Sequence, residues 1–308
     1  MLHYYKTVNG RIREQEELED GCWIDAVNPD EKEINFLIQQ FSLEPDFLRA
    51  ALDEEESSRI ESEDGTTLII IDAPVAEKGD DGVTYYTMPM GILVTKTNVI
   101  TVSLRENTVI AEFAEGVVRN VQTELKTQFV LRVILRVATR YLQYLKQIDK
   151  MSNLLERQLR KSMKNKELIQ LLDVEKSLVY FSTSLKSDET TLEKLMRGRY
   201  IKLYEEDQDL LEDVLIEIKQ AIEMSSIYLN ILSGTMDAFA SVISNNLNIV
   251  MKVLASITIV ISIPNIIAGF YGMNVEGLPL SQFFWFPMVL SLALMGVVGF
   301  ILHKKDML

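Results

Sequence analysis

A row of mostly polar residues on one face of a predicted long helix is the strongest chemical signal in this sequence. Its members recur at steps of three and four residues, which keeps them on one face of a helix with about 3.6 residues per turn. The row comprises Asp209, Asp213, Ile216, Gln220, Glu223, Ile227, Asn230, Gly234, Asp237, Ser241, Ser244 and Asn248. The surplus of carboxylates in the chain either attracts cations or forms an ordinary solvated acidic surface that favours solubility.

The polar row continues where the chain becomes apolar. The same steps lead on to Met251, Ala255, Thr258, Ser262, Asn265 and Gly269, while most residues between them are Val, Leu or Ile. Small and polar residues on one face form either a packing seam between membrane helices or the lining of a water-filled path shared by several copies. A chain with two spans cannot enclose a pore alone, so the second explanation requires an oligomer.

A second row of the same helix is mostly apolar and predicts a packing face. It comprises Leu211, Val214, Ile218, Ala221, Ser225, Tyr228, Leu232, Thr235, Phe239 and Val242. Steps of three and four residues again place these side chains together, which suits contact with other helices. The apolar row therefore predicts the packing face of the long helix, and the polar row is a separate face of the same helix.

Two apolar runs near the C-terminus are long enough to cross a membrane. Residues 249–270 contain one charged residue, Lys252, and residues 283–302 contain none. About 20 apolar residues cross a hydrocarbon core about 30 Å thick. The basic cluster 303–305 follows the second run, whereas segment 271–282 contains no Lys or Arg. The positive-inside rule therefore predicts cytoplasmic termini and a short external connection.

The N-terminal third of the chain alternates strand and helix signals, which predicts a compact α/β domain. Asp30 is the predicted N-cap of a helix that follows a short strand. Strands are predicted at 23–27, 66–72, 83–95 and 99–104, a hairpin loop at 77–82, and a further short helix at 45–52. Beyond this third the pattern is helical, with helices predicted near 108–163, 166–197 and 205–270. The last of these runs into the first apolar segment without a stop signal.

Composition excludes several functional classes. The chain has 45 acidic and 31 basic residues, a net charge of −14, and no basic stripe of the kind that a nucleic-acid binder needs. Cys22 is the only cysteine, so an internal disulfide and a CxxC metal site are excluded. His3 and His303 stand at opposite ends of the chain, and there is no phosphate-binding glycine loop. We therefore expect neither an enzyme nor a catalytic cofactor.

The segment Tyr271-Gly272-Met273-Asn274 ends the first apolar run. Here the sequence resembles the CorA family of Mg²⁺ channels, whose signature is a Gly-Met-Asn triplet that closes the first of two C-terminal spans. The strand Trp23-Ile24-Asp25, the acidic segment 53–63 and the order of an α/β domain before long helices are also similar to the family. The resemblance covers essentially the whole chain.

The resemblance implies a funnel-shaped homopentamer in the plasma membrane, in contact with lipid, that conducts hydrated Mg²⁺ and is regulated by it. It implies a selectivity filter at Gly272, Met273 and Asn274, and a regulatory role for the stalk acids Asp213 and Asp237. The implied pore-lining residues are Asn248, Met251, Leu254, Ala255, Thr258, Ser262, Asn265 and Gly269. In the outer loop, Glu276 is either a carboxylate that gathers cations or an ordinary solvated acid.

The predicted organisation has seven parts. They are a cytoplasmic α/β domain at 1–106, a helical hairpin at 107–204, a stalk helix at 205–248, a first span at 249–271, an external loop at 272–282, a second span at 283–302 and a basic cytoplasmic tail at 303–308. The continuity of stalk and first span is the feature with most bearing on mechanism.

Two rival functions remain open. The same fold can transport Zn²⁺, Co²⁺ or Ni²⁺, because a zinc-transporting branch of the family shares the Gly-Met-Asn triplet. The absence of His and Cys from the polar row favours a hard, hydrated ion over a soft one. A membrane-anchored coiled-coil scaffold would account for the long helix and the two spans. It gives no reason for the polar row to continue through the membrane or for Asn274 at its end.

Overall fold

The chain forms two compact units, Met1–Ser233 and Gly234–Leu308. A computed structural model describes residues 1–79, 82–162, 165–274, 278–280 and 282–307 of the 308. The first unit is an α/β domain followed by long helices, and the second contains two helices of membrane-spanning length. This agrees with the fold class predicted from the sequence.

A seven-stranded sheet forms the centre of the first unit, with the strand order β2-β1-β3-β7-β6-β5-β4. The strands are β1 (Leu2–Val8), β2 (Arg11–Gln15), β3 (Trp23–Val27), β4 (Arg59–Glu63), β5 (Thr66–Gly79), β6 (Gly82–Val94) and β7 (Val99–Ser103). Only β3 and β7 pair in parallel, with Trp23 opposite Val99, and the other neighbours are antiparallel. The parallel pair lies inside the sheet, where both faces are covered.

Two short helices cover one face of this sheet, and the apolar residues of the central strands account for that arrangement. Helix α1 (Glu31–Phe41) begins at Asp30, whose carboxylate accepts from the Glu33 amide at 2.8 Å while the Glu33 side chain accepts from the Asp30 amide. This reciprocal capping satisfies two of the free amides at a helix start. Helix α2 (Pro45–Ala51) follows. Their apolar faces pack on a buried cluster that includes Ile24, Leu48, Leu68, Ile70 and Ile100.

The sequence predicted one continuous helix near 108–163, and this prediction is wrong. The structure contains α3 (Thr108–Ala114) and α4 (Lys126–Ser162), separated by residues that are not helical. Gly116 and Asn120 have φ angles of 68° and 59° in that segment. A left-handed backbone ends an α-helix, and glycine and asparagine tolerate it best. Periodicity continued across this break, which is why the sequence pattern concealed it.

The strand predictions were right in position and incomplete in number. The predicted strands near 23–27, 66–72, 83–95 and 99–104 correspond to β3, β5, β6 and β7, and β5 continues to Gly79. Strands β1, β2 and β4 were not predicted. All three are half-exposed segments with many charged or polar residues, so they lack the apolar alternation that marks a strand. The tip of the predicted hairpin loop, 80–81, lies outside the described residues.

Three long helices complete the chain: α5 (Asn165–Met196), α6 (Glu205–Tyr271) and α7 (Trp285–Lys304). Within the first unit, the predicted packing row of α6 is buried at Leu211, Val214, Ile218 and Ala221. Ser225 is fully buried and donates to the Leu178 carbonyl of α5 at 3.1 Å. The apolar row is therefore a packing face of α6 as predicted, except at its last member, Val242, which is exposed.

Candidate ion pathway and cation sites

The C-terminal unit contains two helices that are long and apolar enough to cross a membrane. They are α6, which has a window of mean hydropathy 2.1, and α7, which has one of 2.2. Few residues in these windows are buried inside the protein, 11% and 6% respectively. A soluble core helix of this composition would be mostly buried, so the exposed apolar surface is what a lipid environment would cover.

The predicted pore row lies on an uncovered face of α6. Asn248, Met251, Leu254, Ala255, Thr258, Asn265 and Gly269 are exposed, and Ser262 is half-buried. Met251 and Leu254 are each 56% exposed. The Thr258 hydroxyl donates to the Leu254 carbonyl at 2.8 Å, and the Ser262 hydroxyl donates to the Thr258 carbonyl at 2.7 Å. Because each hydroxyl proton is used within the helix, the oxygen lone pairs remain available as acceptors.

A different face of α6 packs against α7. Its buried or half-buried row is Ser256, Val260, Ile263, Ile267 and Tyr271. The corresponding row of α7 is Pro287, Ser291, Met295, Val298 and Leu302. Side-chain contacts join α6 to the α7 segment at both ends of this helix pair. At one end the Ser256 hydroxyl donates to the Met307 carbonyl at 2.9 Å, and at the other the ring centroids of Tyr271 and Phe286 lie 6.2 Å apart.

The polar row and the α7-facing row lie on nearly opposite sides of α6. At about 100° per residue, their mean directions differ by about 150°. The hydroxyl and amide groups of the polar row therefore point away from α7. Between the two rows lie exposed apolar side chains such as Ile257, Ile259 and Ile261, with exposures of 43%, 46% and 58%. A packing seam for α7 does not account for the polar row.

The residues of the predicted filter follow the end of α6 directly. The Gly272 amide donates to the Ala268 carbonyl at 2.9 Å, and the Met273 amide donates to Phe270 at 3.3 Å. All three filter residues are exposed, with Met273 at 55%. A Cβ at Gly272 would lie 3.1 Å from the Ala268 oxygen, closer than an ordinary contact, which favours glycine there. The predicted outer-loop residue Glu276 lies outside the described residues.

Tyr271 links this segment to the residues that follow it. Its hydroxyl donates to the Pro279 carbonyl at 3.0 Å, and its ring contacts Phe286 near the start of α7. The sequence interpretation missed the structural roles of Tyr271 and Ser256. The available signal was their spacing, because Ser256, Val260, Ile263, Ile267 and Tyr271 also recur at steps of three and four.

The two stalk acids are exposed and unpaired within the described chain. Neither Asp213 nor Asp237 makes a hydrogen bond or an ion pair there. They lie in different compact units. The described residues also contain no group of three or more His, Cys, Asp or Glu side chains able to hold a metal ion. The described part of one chain therefore has carboxylates that face outward but no complete cation site of that kind.

Comparison with known proteins matches this chain to CorA transporters. Residues 19–304 match the family described as CorA-like Mg²⁺ transporter protein. The cobalt/magnesium transport protein CorA of Methanocaldococcus jannaschii is 29% identical over 291 residues, which cover 92% of this chain and 90% of the relative. The cobalt/magnesium transport protein CorA of Thermotoga maritima is 29% identical over 163 residues, covering 53% of this chain and 46% of that protein.

The fold comparison extends over the whole chain. The complete structure of the CorA magnesium transporter from Methanocaldococcus jannaschii superposes with a TM-score of 0.81 at 24% identity, covering 99% of this chain and 96% of that one. The match includes the α/β domain, the long helix α6 and the second helix of membrane-spanning length, α7. From the family match over residues 19–304, this chain belongs to the CorA-like Mg²⁺ transporter family.

Proposed function

We propose that five copies of this chain form a channel that conducts hydrated Mg²⁺ inward, with the polar row of α6 lining the pore. The observation that carries the proposal is the exposed row on α6 that faces away from α7. In lipid, exposed hydroxyl and amide groups are costly unless they find partners or water. A closed ring of subunits provides both, because each copy turns the same face toward a shared axis.

A filter of neutral oxygens suits Mg²⁺, which binds its water tightly and requires octahedral oxygen coordination. A ring of carboxylates would hold the ion and release it slowly. Five Gly272 carbonyls and five Asn274 amides would instead accept hydrogen bonds from the water shell of the ion. The ion would then pass with that shell intact, and the helix end below would limit the width of the passage.

The inner part of the proposed path has an apolar section. Met251 and Leu254 both extend from the exposed face of α6, and rings of these side chains would close the path by excluding water. Lys252 stands beside them in sequence and marks the cytoplasmic end of the span. In this proposal both termini are cytoplasmic, the membrane is the plasma membrane, and the domain boundaries are those predicted from the sequence.

Regulation by internal Mg²⁺ would act through the stalk acids. Asp213 and Asp237 are exposed without a partner within the described chain, and copies of them near a common axis would repel one another unless a cation intervenes. Mg²⁺ bound between subunits would hold the stalks together and keep the path closed. Loss of internal Mg²⁺ would release them and open it, which is negative feedback.

The experiment is Mg²⁺ influx into liposomes that contain the purified protein and an internal Mg²⁺-sensitive dye. Asn274→Ala removes the amide ring, so we expect the influx rate to fall at least about 10-fold, since losing hydrogen-bond partners of an ion shell costs roughly 1.4 kcal/mol or more at the barrier. Ile257→Ala is the matched control, because this exposed side chain lies off the polar row, and its influx should equal that of the wild type.

Competing ions distinguish the main alternative, a channel of the same fold for Zn²⁺, Co²⁺ or Ni²⁺. The proposal expects Mg²⁺ influx to persist at equal concentrations of these ions. Influx of Zn²⁺ without Mg²⁺ influx would assign the chain to the alternative. No cation influx in the wild type, with the protein correctly inserted, would leave only the scaffold function.

A further inference from the structure

We propose that the half-buried Asp72 and the buried Asp188 form a proton-binding pair, in which Asp188 Oδ2 carries a proton directed at the Asp72 carboxylate and fastens α5 to the edge of β5. The pair lies in the α/β unit, far in sequence from the residues of the ion pathway. The proposal does not depend on the transport function, and it concerns residues that none of the sequence motifs includes.

The pair lies where β4 stops and β5 continues. The last paired residues of these strands are Arg59 and Ile70, so the backbone groups of Asp72 have no partner strand on that side. The Asp72 amide donates instead to Asp188 Oδ1 at 2.9 Å, and the Asp72 carbonyl accepts from the Tyr141 hydroxyl at 3.0 Å. Helices α5 and α4 thereby complete the hydrogen bonding of a strand edge, as buried backbone groups require.

Asp188 has one satisfied oxygen and one unsatisfied oxygen. Its side chain is 1% exposed. Oδ1 accepts from the Ser58 hydroxyl at 2.8 Å as well as from the Asp72 amide, whereas Oδ2 is buried without a hydrogen-bond partner. An ionised carboxylate with a bare buried oxygen is costly. A proton on Oδ2 removes the charge and turns that oxygen into a donor.

Among the described residues, the surroundings contain a second acid and no cation that interacts with either carboxyl group. Asp72 on β5 acts electrostatically on Asp188, and both act on the buried Tyr141 of α4. The other groups beside the pair are hydroxyls: Ser58, before β4, donates to Asp188 Oδ1, and Ser184 of α5 lies beside the Asp72 carboxyl group and hydrogen-bonds to Thr87 of β6. Arg59, which follows Ser58, is paired with Glu56 and Glu61, and Lys186, two residues before Asp188, is exposed.

Two ionised carboxylates in this setting would repel one another across a medium of low polarity. Burial, followed by the charge of Asp72, raises the pKa of Asp188 well above its usual value, and burial also raises the pKa of Asp72. A carboxyl group whose pKa is raised in the folded state contributes its full stabilisation at pH values below its unfolded-state pKa of about 4. This stabilisation is lost as the pH rises through the folded-state pKa.

The pair is placed to influence α6. Glu189, the residue after Asp188, forms an ion pair with Lys219 of α6 at 3.9 Å. One helical face of α5 also accepts the buried hydrogen bond from Ser225 of α6. Loss of the proton would loosen α5 from β5 at the point where α5 also holds α6. A rise in pH would therefore weaken the support of the long helix.

The test measures thermal unfolding of the full-length protein in detergent between pH 4.5 and pH 9. Trp23 is fully buried in the α/β unit and is one of two tryptophans, so a Trp285→Phe background makes its fluorescence specific for that unit. We expect Asp188→Asn, whose amide donates permanently, to raise the melting temperature by about 2–4 °C at pH 8. The difference from wild type should shrink as the pH falls.

Two controls keep the result interpretable. Glu193→Gln removes an exposed acid from α5 and should leave the pH dependence unchanged. Asp25, whose pKa burial raises to about 6, contributes its own pH dependence, but equally to wild type and variants, so the difference curve cancels it. The infrared difference spectrum, wild type minus Asp188→Asn, should also contain the carbonyl band of a protonated carboxyl group, because the contribution of Asp25 cancels in it.

Two results would overturn the proposal. If Asp188 is ionised and only accepts hydrogen bonds, Asp188→Asn lowers the melting temperature at every pH and the difference spectrum contains no band of a protonated carboxyl group. If the pair holds a metal ion instead, added Mg²⁺ raises the wild-type melting temperature and this gain disappears in Asp188→Asn. A proton-binding pair predicts an identical effect of Mg²⁺ on both proteins.

Discussion

Single residues limit how closely the elements of the α/β unit approach each other, and Gly91 is the clearest case. It lies on β6 opposite α2, where a Cβ would overlap the Cβ of Ala51. Both positions are enclosed, and Ala51 is fully buried. Two small residues therefore determine the distance between α2 and the sheet. From the sequence, Gly91 was only one glycine within a predicted strand, because nothing in a strand pattern shows which helix crosses it.

This contact predicts that Gly91→Ala destabilises the protein by about 1–3 kcal/mol, the usual cost of overpacking a core. The measurement is the free energy of unfolding from denaturant titration followed by Trp23 fluorescence. Gly91→Ala combined with Ala51→Gly exchanges the two methyl groups and should recover much of the loss. If the double variant is no more stable than Gly91→Ala alone, the clash with Ala51 is not the cause.

At the scale of elements, the sequence predicted what periodicity can reveal and missed what depends on tertiary contact. The apolar packing row of α6 was predicted because steps of three and four residues report a helix face directly. Strand β4 was missed because its Glu and Ser residues carry no alternation, and it exists through pairing with the apolar β5. The predicted pore row lies on a mostly exposed face of α6, and its use as a pore lining stays a prediction, because a single sequence does not contain the facing subunits.

The break between α3 and α4 was also missed, and an ion-pair cluster now holds the two helices together. Glu112 of α3 lies between Arg136 and Arg140 of α4, with 2.6 Å from the carboxylate to Arg136 Nε. Burial alone would raise the pKa of Glu112, but hydrogen bonds from the two guanidinium groups outweigh it and lower this pKa. The stabilisation from ionised Glu112 is therefore present at pH values above its unfolded-state pKa. It is lost as the pH falls through the lowered folded-state pKa.

We predict that Glu112→Gln lowers the free energy of unfolding by about 1–3 kcal/mol at pH 7, because two half-buried guanidinium groups lose their anion. The same variant should lose less stability than wild type on acidification below about pH 4.5. Glu115→Gln, an exposed acid just after α3, is the control and should match wild type in both measurements. Equal acid sensitivity of Glu112→Gln and wild type would show that this cluster does not fasten α3 to α4.

For the whole molecule, the proposed channel requires that the row of Thr258 and Asn265 face a shared aqueous axis. The chain suits a cysteine test because its only native cysteine, Cys22, is fully buried and so is protected from reagents in the folded protein. Thr258→Cys lies on the polar row. Ile257→Cys lies on an exposed face of the same turn and, in the proposed assembly, points away from the axis.

In proteoliposomes, we expect a water-soluble thiol reagent to modify Thr258→Cys and to block Mg²⁺ influx through it. Ile257→Cys should react at least about 10-fold more slowly, since thiolates form poorly in an apolar setting, and its influx should be unaffected. Native mass spectrometry of the same preparations should give five times the 35.2 kDa chain mass. A monomeric mass, or equal reaction rates at both positions, would mean that α6 is not surrounded by copies of itself in the membrane. The polar face of the helix would then have no partner copies with which to enclose water, and conduction along it would be physically impossible.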